Sequence, residues 1–161
     1  MAHLVFYEKP GCAGNGRQKA LLRAAGHTLD VRDLLSWPWS ADALLAFIAP
    51  LPVSEWFNRA APRIKSGEIV PETLDADTAL ALLLAEPLLI RRPLMQCDAR
   101  RMVGFDAAQV HAWVGLGAQP PAPGSPLEGC AATAAHGTDQ HADQRTEQRT
   151  DQRTTRCTPS T

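Results

Sequence analysis

The spacing of apolar residues changes twice within the first third of the chain. Residues 4–7 form a β-prone apolar run that ends at a Pro-Gly pair, which predicts a short strand. Apolar positions then recur at helical spacing and predict a helix over about residues 17–25. Residues 27–34 alternate and predict a second strand, parallel to the first because a helix joins them. The chain is therefore expected to open with a βαβ unit.

The middle of the chain is predicted to be helical and its last folded part to be a hairpin followed by a helix. Ser40 precedes a run of good helix formers, and Asp75 or Asp77 precedes another, so each run is expected to start at a capping residue. The predicted helical pieces cover residues 41–48, 53–59, 62–66 and 75–85, the predicted hairpin covers 94–96 and 101–103, and the closing helix covers 106–114.

The C-terminal part of the chain has a different composition. Apolar content ends near Leu116, and no aromatic residue follows Trp113. The remainder is rich in Pro, Gly, Ala, Thr and Gln, and such a segment cannot bury enough apolar surface to offset the entropy lost on ordering. We therefore expect one folded domain over residues 1–117 and a disordered tail over residues 118–161.

The charge balance and the hydropathy of the chain argue against two classes of binding partner, nucleic acids and membranes. The 16 Lys and Arg residues nearly balance 17 Asp and Glu residues, so no basic domain for nucleic acid is indicated. The local cluster of Arg91, Arg92, Arg100 and Arg101 is interpreted as a solvated hairpin rim plus one anion-binding arginine. No export signal and no apolar stretch long enough to span a bilayer is visible, so a cytoplasmic protein without a membrane partner is expected.

Cysteine placement supplies the first candidate chemistry. The four cysteines, at positions 12, 97, 130 and 157, have no CxxC or metal-finger spacing, and this suits a reducing compartment. Cys12 lies at the predicted strand-to-helix turn, where backbone N–H groups and the helix dipole lower the pKa of a thiol and make it more reactive. The alternative is a small residue packed under the sheet, and the residues alone leave both interpretations open. No metal site is expected, since the histidines lack ligand spacing.

Two motifs make a family resemblance specific. The segment YEKPGC at residues 7–12 and the segment EPLLIRRP at residues 86–93 resemble the arsenate reductase (glutaredoxin-type)/Spx-like family, over about residues 1–115. GRQKALL, VSEWFNRAAP and LLIRRPLM are most similar to its nitrogenase-associated branch. The resemblance implies an α/β thioredoxin-like fold with a mixed sheet, βαβ then ββα, and a helical insert between the halves.

The resemblance also implies the catalytic residues. In the reductases a cysteine and three arginines hold the arsenate oxyanion; here the cysteine matches Cys12 and one arginine matches Arg92. Pro93 matches a cis-proline that lies beside the cysteine. Cys12 and Arg92 are thus the expected catalytic residues, and Pro93 is expected to contact the substrate.

The other two arginine positions differ from the family pattern. They hold Asn58 and Gly104, although Arg59 is adjacent to the first of them. Asn15, Asn58 and Arg59 are the remaining candidates for substrate contact. One arginine in place of three leaves much of an oxyanion's charge unpaired, so true arsenate reduction is disfavoured.

Two functional hypotheses follow from the resemblance. The first is a thiol oxidoreductase that needs no bound cofactor and uses glutathione, a glutaredoxin or a protein thiol as reductant. The second is a non-catalytic, Spx-like adaptor that binds a nitrogenase-related or other protein partner. Cys130 and Cys157 in the tail are expected to be exposed and to take no part in the Cys12 chemistry. The exception under the first hypothesis is that either of them reaches Cys12 on the tail and acts as a resolving thiol.

Overall fold

A computed structural model of the protein describes residues 1–118. Within these residues four strands form one sheet: β1 His3–Glu8, β2 Thr28–Asp33, β3 Leu94–Cys97 and β4 Arg100–Val103. The helices are α1 Ala13–Ala24, α2 Ala41–Ile48, α3 Pro62–Lys65, α4 Ala76–Ala85 and α5 Ala107–Val114. Short 3-10 turns lie at Val53–Glu55, Pro71–Thr73 and Pro87–Leu89.

The sheet has the strand order β2-β1-β3-β4. β1 is parallel to β2, and Tyr7 pairs with Arg32; on its other side β1 is antiparallel to β3, and Tyr7 pairs with Leu94. β3 and β4 form the hairpin. The predicted α/β class, with a βαβ half, a helical insert and a ββα half, is confirmed.

The sheet separates two apolar clusters, because successive side chains of a strand point to opposite faces. Leu4 and Phe6 of β1 are fully buried in the cluster that contains residues of α1 and α5. Tyr7 belongs to the other cluster, which contains residues of α2 and α4. Both faces of β1 are thereby covered by helices, and this packing fixes the position of β1 relative to the helices on each side.

Three helices begin at a residue whose side chain caps the first turn, and for α2 the sequence predicted this cap at Ser40. Ser40, Asp75 and Asp106 each accept a hydrogen bond from the backbone N–H three residues later. These bonds satisfy donors that have no partner inside the helix. The starts of α2, α4 and α5 are thus set by local chemistry.

The start of α1 was predicted wrongly. The helix begins at Ala13 and not near residue 17, so Gly14 and Gly16 lie inside it. Glycine lowers helix propensity, but the first turn is supported by tertiary contacts, since Asn15 and Gln18 are buried. Cys12 therefore occupies the N-cap position itself.

The predicted helix over residues 53–59 was also wrong beyond its first turn. Only Val53–Glu55 is helical, in 3-10 form. The backbone then extends and Phe57 forms an antiparallel bridge with Ile90. The N–H of Asn58 donates to the carbonyl of Leu89 at 2.7 Å, and this pairing replaces the bonds that a helix would have made.

Several of the predictions made from the sequence concern residues beyond 118. The predicted disordered tail, with Cys130 and Cys157, lies outside the described residues, and the domain boundary near residue 117 stays a prediction. Among residues 1–118, no helix combines the length and the apolar character needed to cross a membrane. The same residues contain no group of three or more His, Cys, Asp and Glu side chains placed to hold a metal ion.

A buried histidine joins the two ends of the domain. His27 accepts a hydrogen bond at Nδ1 from the backbone N–H of Ala2, at 3.1 Å, and its Nε2 lies 2.6 Å from the carbonyl oxygen of Gly115. Leu116 is only 6% exposed and donates its backbone N–H to Nδ1 of His111. The segment after α5 is therefore part of the packed domain.

We predict that a chain ending at Gly117 melts at nearly the same temperature as the full chain, whereas a chain ending at Val114 is less stable. The shorter chain loses the buried Leu116 side chain and the acceptor of His27, which costs about 2 kcal/mol or more. For a domain of this size that corresponds to a fall of several degrees in melting temperature. Thermal unfolding followed by circular dichroism tests both variants, with a thiol reductant present so that the disulfide of Cys12 is open in every chain. A fall of several degrees for the chain ending at Gly117 would contradict the domain boundary.

Candidate active site at Cys12 and Arg92

Cys12 caps the N-terminus of α1 from the end of a tight turn. Its N–H donates to the carbonyl of Lys9 at 3.1 Å, and its carbonyl accepts from Gly16 at 3.0 Å. Gly11, with φ of +76°, permits the reversal of direction just before it. The side chain of Cys12 makes no capping hydrogen bond, and the N-cap position puts the residue at the positive end of the helix dipole.

Asn15 holds this turn in place. Its Oδ1 accepts from the N–H of Lys9 at 3.2 Å, and its Nδ2 donates to Oε1 of Gln18 at 2.8 Å. Both amides are buried. The structure thus gives Asn15 an internal role in positioning the loop, and its contact with a substrate stays a prediction.

The Arg92–Pro93 peptide bond is cis, as the sequence resemblance predicted. Pro93 directly precedes β3, whose Leu94 pairs with Tyr7 near the end of β1. The carbonyl of Pro93 accepts from the N–H of Gly104 at 2.8 Å, which fixes it against the start of the chain segment after β4. This register puts Pro93 at the end of β1 from which the Cys12 turn leaves.

Arg92 is a buried cation with incomplete hydrogen bonding. It is 4% exposed, and its Nη1 donates to the carbonyl of Leu88 at the long distance of 3.5 Å. Its Nε is buried and has no hydrogen-bond partner among the described residues. Burial lowers the pKa of Arg92, because desolvation disfavours the charged form. A guanidinium in this state is stabilised by any anion that reaches its free donors.

Asn58 lies next to Arg92 through a shared acceptor. Its Nδ2 donates to the same Leu88 carbonyl, at 3.4 Å, and the residue is 6% exposed. Its Oδ1 accepts from the N–H of Ala60. The structure therefore brings Asn58 and Arg92 together, with a neutral amide where the reductases are expected to have a guanidinium.

Arg59 lies elsewhere. Its guanidinium forms an ion pair with Glu72 and donates to the carbonyl of Ser54 at 3.1 Å, on an exposed surface. The structure does not bring it to Leu88 and Arg92, and its role in substrate binding stays a prediction. The Leu88 carbonyl itself could not be found from the sequence, because a backbone group leaves no signal in residue type.

The two cysteines of the described domain are in different states. Cys12 is disulfide-bonded and Cys97 is a free thiol, so they are not paired with each other. Burial raises the pKa of Cys97, and the neighbouring carboxylate of Asp98 adds to this effect. A raised pKa reduces the thiolate fraction of Cys97 at neutral pH.

Comparison with known proteins identifies the family. Residues 17–113 match the model of the ArsC family. The chain belongs to the ArsC family. The matched range includes Asn58, Arg92 and Pro93 but begins after Cys12, so the cysteine assignment depends on the motif and on the geometry of the turn.

Individual ArsC relatives agree with this assignment. A 15.7 kDa protein from the draG 3′ region of Rhodospirillum rubrum is 51% identical over 121 residues, which cover 75% of this chain and 85% of that protein. An ArsC-family-related protein from Bacteroides fragilis has a TM-score of 0.61 at 23% identity and covers 68% of this chain and 95% of its own. An arsenate reductase-related protein from Brucella melitensis has a TM-score of 0.55 at 26% identity, covering 70% and 94%. The predicted thioredoxin-like, ArsC-type fold is thus confirmed.

After complete reduction, we predict that Cys12 reacts with iodoacetamide faster than Cys97 at pH 7. Cys12 caps a helix N-terminus, whereas burial and Asp98 raise the pKa of Cys97, so its thiolate fraction grows only as pH rises further. The gap in rate is expected to narrow above pH 9. Peptide mass spectrometry after timed labelling measures both rates in one sample. Equal rates at pH 7 would remove the main physical reason to assign Cys12 as the nucleophile.

Proposed function

We propose that this arsenate-reductase-like protein catalyses thiol–disulfide exchange through Cys12 on a substrate that carries an anionic group. Arg92 binds that group. The observation that supports this most directly is the buried Nε of Arg92, which has no partner among the described residues. An anion at this position offsets the desolvation of the guanidinium, and charge-assisted bonds are the strong ones.

The proposed exchange has two steps. The cycle starts when the reductant has opened the disulfide of Cys12. The Cys12 thiolate then attacks one sulfur of a substrate disulfide, a new S–S bond forms, and the other substrate sulfur leaves as a thiolate. The thiolate of glutathione, of a glutaredoxin or of a protein thiol then attacks the mixed disulfide and releases Cys12 as a thiolate. In the complete cycle one substrate sulfur is released as a thiol, and the other ends in a new disulfide with the sulfur of the reductant. When glutathione reduces a mixed disulfide of glutathione, that product is glutathione disulfide.

The anion site has a smaller charge than arsenate reduction needs. The neutral amide of Asn58 lies beside Arg92, and Arg59 is engaged with Glu72. A singly charged group such as a carboxylate matches one guanidinium better than a doubly charged oxyanion does. A carboxylate-bearing disulfide, of which mixed disulfides of glutathione are an example, is therefore the proposed substrate class.

A protein-binding role in nitrogen fixation is the second candidate. The 51% identical relative is encoded in the draG 3′ region, a nitrogen-fixation context. An adaptor needs the fold but not the three arginines that bind the oxyanion in the reductases. Asn58 and Gly104, which replace two of those arginines, are compatible with such a role. The nitrogenase-related partner proposed here would be bound equally by a Cys12→Ser variant, whereas the redox function requires the thiol.

We predict that Arg92→Gln slows reduction of the mixed disulfide between glutathione and 2-mercaptoethanol, but not reduction of neutral bis(2-hydroxyethyl) disulfide. Loss of a charge-assisted bond of about 1.5–3 kcal/mol corresponds to about a ten- to hundredfold fall in kcat/KM for the anionic substrate. Cys12→Ser should abolish both reactions. Arg91→Gln is the matched control, because Arg91 is the neighbouring arginine and faces Glu55. Equal loss with both substrates would show that Arg92 acts on the fold and not on the anion.

We further predict that arsenate reduction with glutaredoxin and glutathione is absent or very weak. Two of the three oxyanion arginines are missing, and each charge-assisted bond contributes about 1.5–3 kcal/mol. The loss corresponds to about two to four powers of ten in oxyanion binding. Coupled oxidation of NADPH through glutathione reductase measures the rate, with the enzyme-free mixture as the baseline. Turnover comparable to that of a complete reductase would show that other groups supply the missing charge.

A further inference from the structure

A cavity of about 290 Å³ lies between the edge strand β4 and the last helix α5. It is separate from the Cys12 turn, since neither Cys12 nor Arg92 lines it. Its lining combines two cationic, one amide and three apolar side chains: Arg100, Arg101, Met102, Gln109, Ala112 and Trp113. The volume is at the lower end of the range for small-molecule sites, about 300–1,000 Å³.

The helix side of the cavity is built from one face of α5. Gln109, Ala112 and Trp113 have the spacing i, i+3 and i+4, so their side chains lie next to one another. The small Ala112 leaves room between the larger two. The Trp113 ring is half-buried and supplies a flat apolar wall, while the amide of Gln109 supplies both a donor and an acceptor.

The strand side of the cavity carries the positive charge. Among the described strands β4 pairs only with β3, and Arg100 and Arg101 are exposed on this edge. Within residues 1–118 neither arginine forms an ion pair. The guanidinium of Arg101 lies 5.6 Å from the centre of the Phe47 ring, which limits its freedom. Because successive side chains of a strand point to opposite faces, this contact puts Arg101 on the α2 side of the sheet, and Arg100 lies with Met102 on the α5 side. The guanidinium of Arg100 and the ring of Trp113 therefore form a surface for an anion attached to a flat ring.

We propose that this cavity binds a small aromatic anion, in which a flat ring contacts Trp113 and Met102 and a phosphate or carboxylate contacts Arg100. Base–aromatic stacking and bidentate guanidinium binding are the two interactions that this lining supports. The site is independent of the proposed thiol chemistry. Charged residues on an edge strand also prevent edge-to-edge pairing, and that role alone predicts no ligand.

The test compares complete ligands with their halves. Adenosine 5′-monophosphate and 2-naphthoate each combine a ring with an anion; adenosine supplies only the ring, and inorganic phosphate only the anion. Titrations are followed by the indole N–H signal of Trp113 in nuclear magnetic resonance spectra, assigned with a Trp113→Phe variant. The monophosphate is expected to bind about five- to hundredfold more tightly than phosphate, through stacking, and about fivefold more tightly than adenosine, through the exposed charge pair. The better of the two complete ligands identifies the anion.

Two matched pairs of variants localise the site. Ala112→Phe fills the cavity and should weaken binding of the complete ligand at least tenfold, whereas Ala108→Phe places the same exposed ring on α5 outside the lining and should not. Arg100→Gln should weaken binding about fivefold, whereas Arg23→Gln, at the exposed end of α1, removes the same charge without effect. Binding no tighter than that of either half, or equal affinity of the Ala112→Phe and Ala108→Phe variants, would overturn the proposal.

Discussion

The antiparallel pairing of β1 with β3 is the constraint on which the candidate site depends. Tyr7 faces Leu94 in this ladder, so the Cys12 turn and the Arg92–Pro93 dipeptide reach the same end of the sheet although they are 80 residues apart in sequence. A shift of one residue would turn every side chain of β3 to the opposite face. Leu94 and Met95 are both fully buried, on opposite faces, and such a shift would exchange their environments. Packing of the two apolar clusters therefore fixes the register, and the register fixes the site.

The buried Arg92 shows how the fold holds a charged group that contributes little to stability. Taking a guanidinium out of water is unfavourable, and that cost is offset only when an ion pair of good geometry and further hydrogen bonds satisfy its donors. Among residues 1–118, the structure gives it one long bond, to the Leu88 carbonyl, which Asn58 also uses. A packed aliphatic side chain at this position would stabilise the fold better than Arg92 does. A buried guanidinium with unsatisfied donors is therefore best explained by an external anion that accepts the missing hydrogen bonds.

Local signals in the sequence predicted most of the helices and strands correctly. The predictions failed where contacts between residues distant in sequence determine the backbone conformation. Ser40 and Asp106 are capping residues whose effect is confined to one turn, so α2 and α5 were predicted correctly. Gly14 and Gly16 oppose helix formation locally, yet α1 runs through them because Asn15 ties its first turn to Lys9. Trp56 and Phe57 were predicted as helical, but their backbone pairs with residues over 30 positions away. The family resemblance supplied the cis bond at Pro93, while the shared Leu88 carbonyl was invisible to any pattern of residue types.

The contact of His27 with both Ala2 and Gly115 has a consequence for how the chain can be reconnected. These two backbone positions meet at the start of β1, and the six residues of that strand, about 20 Å in length, separate them from the Cys12 turn. A short covalent linker between the N-terminus and Gly117, which keeps the buried Leu116, would close the domain into a ring without altering the strand order. New ends opened at the exposed Gly67 turn would then give a circularly permuted chain with the Cys12 and Arg92 region intact. Any second domain fused near Ala2 or Gly115 would extend from the pole opposite to this region and leave its approach open.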